Sequence, residues 1–469
     1  MVHTLTNRYQ ALIPWIIATA AAVMRLYHLT TNRLWYDESF TLLVTMRPFT
    51  DAIRATMFDV HPPLYYVITW CMVRVFSWLP APLVLRGLSV ILSLVGLWVF
   101  WRLTAGTDLP RPARLAALAF LAFSPVVLYF SQEARMYALL QLLVMLQLLA
   151  VIQRRWLLLL ITTTAALYTH NYGLFYSAAI GLLALARERN WRPVLALGLA
   201  GAAWLPWAWV LAGQMGAVQA SYWIQPVTPG SLIMAMLRGW VGVHTPEVGS
   251  VAVVLVLLPL LTLLATHAIY QRRFGLLWMA LAPLAMAVCV SLAWKPVLLY
   301  RGLYGSLPAL AMLAGGAFTS AHDAGKVGRW LLVAPIALAL AWQLAAVQVN
   351  GVDHTGSPWP DPKSATLYHL EDTSLIEYSA NWPGVRSVLI EAGCPFKAGE
   401  LTTQTRAALG IETIAIDNLP PDYEVVALVG PLSTACHEAV YHQLTDQARP
   451  LWQRSTAFGV YGMWDYEKN

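Results

Sequence analysis

Apolar residues in the first three quarters of this chain run in long blocks, whereas polar residues gather in short interruptions between them. Because a bilayer core needs about 20 mainly apolar residues to be crossed by a helix, these blocks predict membrane spans. They lie at roughly 10–28, 83–103, 114–130, 137–153, 156–171, 172–189, 193–212, 249–270, 274–294, 303–321 and 330–348. After residue 350 the pattern changes to short apolar runs. Val388-Leu389-Ile390 and Val425-Val426-Ala427-Leu428-Val429 read as buried strands. Helical potential at 398–410, a helix around 434–447 and a β-prone end near 457–464 complete a small α/β pattern. The expected fold class is a polytopic α-helical membrane protein: a transmembrane domain over 1–349 with about eleven helices, followed by a small α/β domain over 350–469, an ordinary domain size.

Charge divides at the same place. Residues 1–349 carry 23 Lys and Arg against nine Asp and Glu, and residues 350–469 carry seven against 15. A basic membrane part and an acidic tail imply two environments. The 58% hydrophobic content excludes a soluble protein. The pI of about 9.1 reflects membrane-flanking arginines and not a nucleic-acid surface. Basic clusters at Arg111 and Arg114, Arg154 and Arg155, Arg187, Arg189 and Arg192, Arg272 and Arg273, and Lys326 and Arg329 are separated by two spans each. The positive-inside rule then puts these loops and the N-terminus in the cytoplasm and the tail outside. Residues 63–80 break the alternation if counted as a span, and would bury Arg74 at a cost of about 2.5–3.5 kcal/mol. They are read as an interfacial helix in the first outer loop.

This topology collects the chemistry in outward loops. Asp37 and Glu38 stand together in Trp-Tyr-Asp-Glu-Ser-Phe, within a loop 29–82 that also holds Asp51, Asp59 and His61. Carboxylates beside a bilayer are costly and therefore candidates for function, with a helix cap as the plainer reading of Asp37. Loop 131–137 pairs Glu133 with Arg135 and ends on Tyr137, and the turn near 169–173 holds His170 and Asn171. The last outer loop carries Lys295, Tyr300 and Arg301. A guanidinium grips two phosphate oxygens and stays charged, so Arg135 is a candidate phosphate ligand, the alternatives being a partner for Glu133 or a snorkelling side chain. An outward-facing Lys295–Arg301 pair opposes the positive-inside bias, and an anionic lipid headgroup would explain it. His61, before Pro62 and Pro63, is either a phosphate or sugar ligand or an architectural residue. His170 and Asn171 are substrate contacts or helix-end caps. The loop 213–248 holds His244 and Glu247, with Trp223 and Trp240 as candidate sugar-stacking rings.

Four ordered pieces carry a resemblance. They are Trp35-Tyr36-Asp37-Glu38; His61-Pro62-Pro63-Leu64-Tyr65-Tyr66; Tyr129-Phe130-Ser131-Gln132-Glu133-Ala134-Arg135-Met136-Tyr137-Ala138-Leu139; and Tyr168-Thr169-His170-Asn171-Tyr172-Gly173. Over residues 10–320 the chain resembles the GT-C superfamily of polyprenyl-phosphate-sugar-dependent glycosyltransferases. Among these it is most similar to bacterial members related to protein O-mannosyltransferases and aminoarabinose transferases. The resemblance implies inverting transfer of a sugar from a polyprenyl-phosphate-linked donor to a glycan, lipid or protein acceptor, on the outer face of the cytoplasmic membrane. Asp37 would be the base and Glu38 its tuner or an acceptor ligand. Arg135, with Lys295 or Arg301, would stabilise the departing phosphate.

Relatives with pyrophosphate-linked donors use a divalent metal beside several carboxylates. Here loop 131–137 offers one carboxylate and an arginine, so no obligatory metal is expected, with a divalent cation as the alternative. Two rival functions differ in what they require. A lipid-linked-sugar transporter or flippase would place ionisable groups near mid-span, and an oligosaccharide ligase or polymerase would use a pyrophosphate-linked donor. Cys71 and Cys289 read as packing residues, whereas Cys394 and Cys436 are able to form a disulfide in an oxidising compartment.

Overall fold

The structure, a computed structural model, describes residues 2–188, 190–217, 224–242, 258–323, 359, 361–362, 364–391, 401–420, 422–429, 435–445, 449–456 and 459–467. Twelve helices run in order: α1 (Val2–Leu26), α2 (Tyr36–Met46), α3 (Phe49–Phe58), α4 (Leu64–Val75), α5 (Ala81–Ala105), α6 (Arg111–Ala122), α7 (Pro125–Gln132), α8 (Tyr137–Ile152), α9 (Trp156–Leu167), α10 (Tyr172–Arg187), α11 (Arg192–Ala217) and α12 (Pro229–Met236). Helices Leu258–Tyr270, Phe274–Ala293 and Leu307–Asp323 follow, and then a mixed sheet. The chain forms two compact units. One comprises Met1–Leu29, Arg86–Pro206 and Ile224–His354; the other comprises Thr30–Leu85, Trp207–Trp223 and Thr355–Asn469.

Among the described residues, α5, α11 and Phe274–Ala293 are long and apolar enough to cross a membrane. The expected span 114–130 is instead the pair α6 and α7, bent by 50°. Pro125 causes the break: a residue before proline is disfavoured in the helical region, and Ser124 takes ψ 127°. The break frees the carbonyl of Ala122, which accepts a hydrogen bond from buried Arg25 (3.0 Å). Arg25 also donates to Ser93 Oγ and to the Ala21 carbonyl. Gln132 in turn donates to the carbonyls of Arg25 (3.0 Å) and Tyr27 (2.8 Å), satisfying the end of α1. The apolar helices α8, α9 and α10 have 16, 12 and 16 residues, shorter than a standard span. The expected span at 330–348 lies outside the described residues.

Within the first unit, α6 and Leu307–Asp323 lie close because small residues face each other: a Cβ on Gly315 would collide with Ala113 and Ala117. Loops at opposite ends of the helices are tied separately. At one end Arg154 and Arg187 pair with Glu188, and Arg273 pairs with Asp108. Toward the other end Arg86 donates to the Leu29 carbonyl, Ser89 to that of Glu133, and Tyr172 to that of Val297.

In the second unit, loop 29–82 proves to be helical, with α2, α3 and α4 packed together. Helix α4 is the expected short helix. Its 12 residues rise about 18 Å, too little to span a core about 30 Å thick. Arg74 lies over the Trp70 ring (3.6 Å) and donates to the carbonyls of Thr45 and Arg47, the end of α2. The sheet comprises β1 (Thr366–His369), β2 (Arg386–Glu391), β3 (Glu412–Ala415), β4 (Asp422–Val429), β5 (Arg449–Thr456) and β6 (Gly459–Glu467). Its order is β3-β2-β1-β4-β6-β5, parallel through the first four and antiparallel at β4-β6-β5. Helix Asp372–Asn381 supplies the crossover that a parallel β1–β2 pair requires. Alternation along β4 sends Val425 into one buried cluster with Leu370 and Ile390, and Val426 into another with Trp359, Leu367 and Tyr378. Sequence patterning missed β1, β3, β5 and Asp372–Asn381. Cys436 is disulfide-bonded; Cys394 lies outside the described residues.

Candidate functional site

The acidic pair opens α2. Trp35, extended at ψ 174°, is the N-cap and makes no side-chain capping bond. Asp37 therefore stands inside the first turn and not at the cap position, where its charge still favours the positive end of the helix dipole. The two carboxylates differ in access: Asp37 is half-buried and Glu38 fully buried. Asp37 is thus the more accessible member of the pair. Thr41 Oγ1 donates to the Asp37 carbonyl (3.0 Å) and Ser39 Oγ to that of Leu34 (3.1 Å), fixing the turn.

His61 is half-buried between α3 and α4, and Pro63 is the N-cap of α4. The tyrosines that follow it, Tyr65 and Tyr66, are buried, with Tyr66 edge-on to Phe40 of α2 at 6.1 Å. This motif therefore builds the packing beneath α2. Gln214 closes the other side, donating to the carbonyls of Thr56 and Met57 at the end of α3 (2.9 and 3.2 Å).

The basic candidates belong to the first unit. Glu133 terminates α7 and is fully buried; Arg135 is 2% exposed, and its N–H donates to the Glu133 carbonyl (2.8 Å). Tyr137 begins α8, its ring 4.6 Å from Phe130 and 5.7 Å from His170. Buried His170 lies in the turn between α9 and α10. Its Nδ1 accepts the Tyr172 N–H (3.0 Å), which requires a lone pair there and puts the imidazole proton on Nε2. The capping role weighed for His170 is thus real, whereas half-buried Asn171 is the N-cap of α10 without a side-chain capping bond.

Tyr172 organises the last loop. Its hydroxyl donates to the Val297 carbonyl (2.8 Å) and accepts from the Leu299 N–H (2.9 Å), so Lys295 and Arg301 flank a pinned segment. Both are half-buried. The backbone then tightens into a 3-10 turn, Tyr300–Ser306. Tyr176 donates to the Gly302 carbonyl (2.7 Å) and Gln141 to that of Tyr304 (3.0 Å). Glycines permit this fit: a Cβ on Gly302 would enter the Tyr172 ring, and one on Gly305 would come within 2.6 Å of Tyr176. Arg301 Nε donates to the Tyr300 hydroxyl (3.3 Å).

Two residues outside the sequence-derived set join this basic group. Arg238 lies 5.8 Å from the Tyr300 ring centroid, carried by a π turn at Leu237–Val241. Tyr304, fully buried in the Tyr300–Ser306 turn, sets its ring edge-on to Phe130 at 5.1 Å. An isolated arginine and a tyrosine in an apolar block gave no signal in sequence. Trp240 is not a stacking platform, since only 2% of it is exposed; Gly239 lets its turn press against Tyr300 and Leu303. Trp223, His244 and Glu247 lie outside the described residues. Among the described residues no group of three or more His, Cys, Asp or Glu is disposed to hold a metal ion.

No family model and no curated protein matches the chain in sequence. Solved structures do match in fold. ArnT from Cupriavidus metallidurans in the apo state superposes with a TM-score of 0.54 at 13% identity, over 96% of this chain and 97% of that one. The same protein bound to undecaprenyl phosphate gives 0.48 at 14% identity, over 96% and 97%. The archaeal oligosaccharyltransferase AglB from Archaeoglobus fulgidus, in complex with an inhibitory peptide and a dolichol-phosphate, gives 0.47 at 12% identity, over 81% and 64%. The first of these establishes the fold, which this chain shares with ArnT.

Proposed function

We propose that this chain is an inverting glycosyltransferase that moves a sugar from a polyprenyl-phosphate-linked donor to an acceptor hydroxyl or amine on the outer face of the cytoplasmic membrane. The observation that carries the reading is Arg135, 2% exposed just before α8, in the same compact unit as the segment between Lys295 and Arg301 that the Tyr172 hydroxyl pins. Concentrated positive charge at a low-dielectric site is what a phosphate monoanion needs and what an apolar surroundings otherwise disfavours. ArnT, whose fold the chain shares, is an aminoarabinose transferase.

In the proposed reaction Asp37 takes the proton of the acceptor group as its oxygen or nitrogen attacks C1 of the sugar. The C1–O bond to phosphate breaks, the anomeric configuration inverts and polyprenyl phosphate departs carrying the bonding electron pair. General-base assistance of this kind contributes about 10²–10⁴-fold. Arg135 and Arg301, with Lys295, hold the phosphate oxygens as negative charge grows on them. Glu38, the next residue, tunes the base through the repulsion between adjacent carboxylates or binds the acceptor. The phosphate charge is matched by guanidinium groups, so no divalent metal is required. The spacing of the basic clusters supports an alternating topology with those clusters on the cytoplasmic side. The tail then faces outward.

A reconstituted assay over a panel of polyprenyl-phosphate sugars tests the reading. Asp37→Asn should lose at least 10²-fold in turnover while binding donor normally. Wild-type turnover by a folded Asp37→Asn protein would remove Asp37 as the base. Transport of the lipid-linked sugar without transfer would favour a flippase, and use of a pyrophosphate-linked donor would favour a ligase or polymerase.

A further inference from the structure

The acidic turn does not stand alone within its unit. Asn381, the last residue of helix Asp372–Asn381, takes both backbone groups of Leu34: Oδ1 accepts the Leu34 N–H (2.9 Å) and Nδ2 donates to the Leu34 carbonyl (2.8 Å). The second Nδ2 proton goes to the Glu377 carbonyl of its own helix (2.9 Å), which fixes the orientation of the carboxamide. One side chain thus imitates a neighbouring strand for a residue three positions before Asp37. Leu34 is buried.

The preceding residue is held as well. Arg33 donates to Asp361 Oδ1 (2.6 Å) and to the Trp359 carbonyl (3.0 Å), and its guanidinium lies 4.6 Å from the Trp382 ring centroid. Trp382 Nε1 donates to the same Asp361 oxygen (3.1 Å), and its ring stacks on Tyr378 (4.7 Å). Because Arg33 and Asp361 are substantially exposed, solvent screens their attraction. The part-buried Asn381 bonds are therefore the firmer hold. The body of the same helix packs against α2, and its first residue, Asp372, is anchored by Arg406.

We propose that helix Asp372–Asn381 of the tail is a positioning element for the catalytic turn, with Asn381 and Arg33 as the positioning residues that set where Asp37 points. This rests on the reading of Asp37 as the base. The physical ground is that Trp35 is extended and Leu34 precedes α2, so hydrogen bonds beyond the helix ladder must define the course of this lead-in. Ser39 gives one to the Leu34 carbonyl, and the tail supplies the Asn381 pair. A general base misplaced by about 1 Å loses on the order of 10²-fold in rate, so the clamp acts on turnover rather than on donor binding.

The test uses the full chain in lipid nanodiscs, comparing wild type, Asn381→Ala, Asn381→Asp, Arg33→Gln and Asp37→Asn. Asn381→Ala should raise hydrogen exchange at the amides of residues 34–39 at least tenfold. It should lower kcat about 10–100-fold with donor KM within twofold of wild type. Asn381→Asp keeps the acceptor for the Leu34 N–H, loses the donor and should fall between. Arg33→Gln, at the exposed end of the clamp, serves where Asn381→Ala does not fold. Unchanged exchange, or faster exchange with intact kcat, would overturn the inference. The base reading fails separately: Asp37→Asn would then turn over like wild type, leaving the exchange result to judge the clamp.

Discussion

Gly302→Ala is the sharpest probe of how the last loop is held. The new methyl group would enter the Tyr172 ring, and that ring has little freedom to retreat, since its hydroxyl bonds both the Val297 carbonyl and the Leu299 N–H. Overpacking costs about 1–3 kcal/mol, and the two hydrogen bonds are worth about 1 kcal/mol each. The sum is a loss of about 3–5 kcal/mol, and an apparent melting temperature lower by on the order of 10 °C. Arg301 is the neighbouring residue, so donor KM should rise as well. Thermal unfolding in detergent, followed by intrinsic fluorescence, measures the first effect, and transfer kinetics the second. A double-mutant cycle isolates the cause: with Tyr172→Ala the ring is gone, and the cost of Gly302→Ala should drop to about 1 kcal/mol or less. A Gly302→Ala protein that melts within 2 °C of wild type, or a cost unchanged by Tyr172→Ala, would refute the reasoning.

Four further outcomes are expected. Arg135→Ala should raise donor KM more than tenfold, and Arg135→Lys, which lacks the planar fork, should recover only part of the loss; kinetics against donor concentration would show both. Asp372→Ala should cost about 3–5 kcal/mol, because it strips the buried carboxylate that accepts from Arg406 (2.8 and 3.0 Å) and from the Leu401 N–H (2.9 Å); denaturant unfolding of the tail's tryptophans would report it. Burial holds the His369 imidazole down at about 3, below its unfolded value near 6.5. The unfolded state therefore binds the proton first, so this contribution is complete above pH 6.5 and diminishes as pH falls toward 3. At pH 5 it should amount to a loss of about 2 kcal/mol, and His369→Gln should flatten that part of a stability-versus-pH series. Transfer should also persist in excess EDTA, measured against an untreated control.

Much of the architecture follows from the sequence, because long apolar blocks have one stable solution in lipid and short ones have one in a sheet. The basic-cluster spacing, the short helix bearing Arg74 and the central tail strands β2 and β4 were all legible in this way. So were the acidic pair and the arginine of loop 131–137, since charge in an apolar chain is conspicuous. The break in α6–α7 was less so, although Pro125 stood in plain view, because proline is tolerated in membrane helices when neighbours satisfy the freed groups; here Arg25, from 97 residues away, does so. What only the tertiary structure decided is which side chains meet. Tyr172 pins residues 297–299 across more than a hundred positions, Arg238 reaches the Tyr300 ring from a π turn, and Asn381 grips Leu34 from 347 residues away. Each is a single polar group set by the course of two distant backbones, and local periodicity holds no record of such pairings. The residues able to act were written in the sequence. The contacts that would hold them in place belong to the fold.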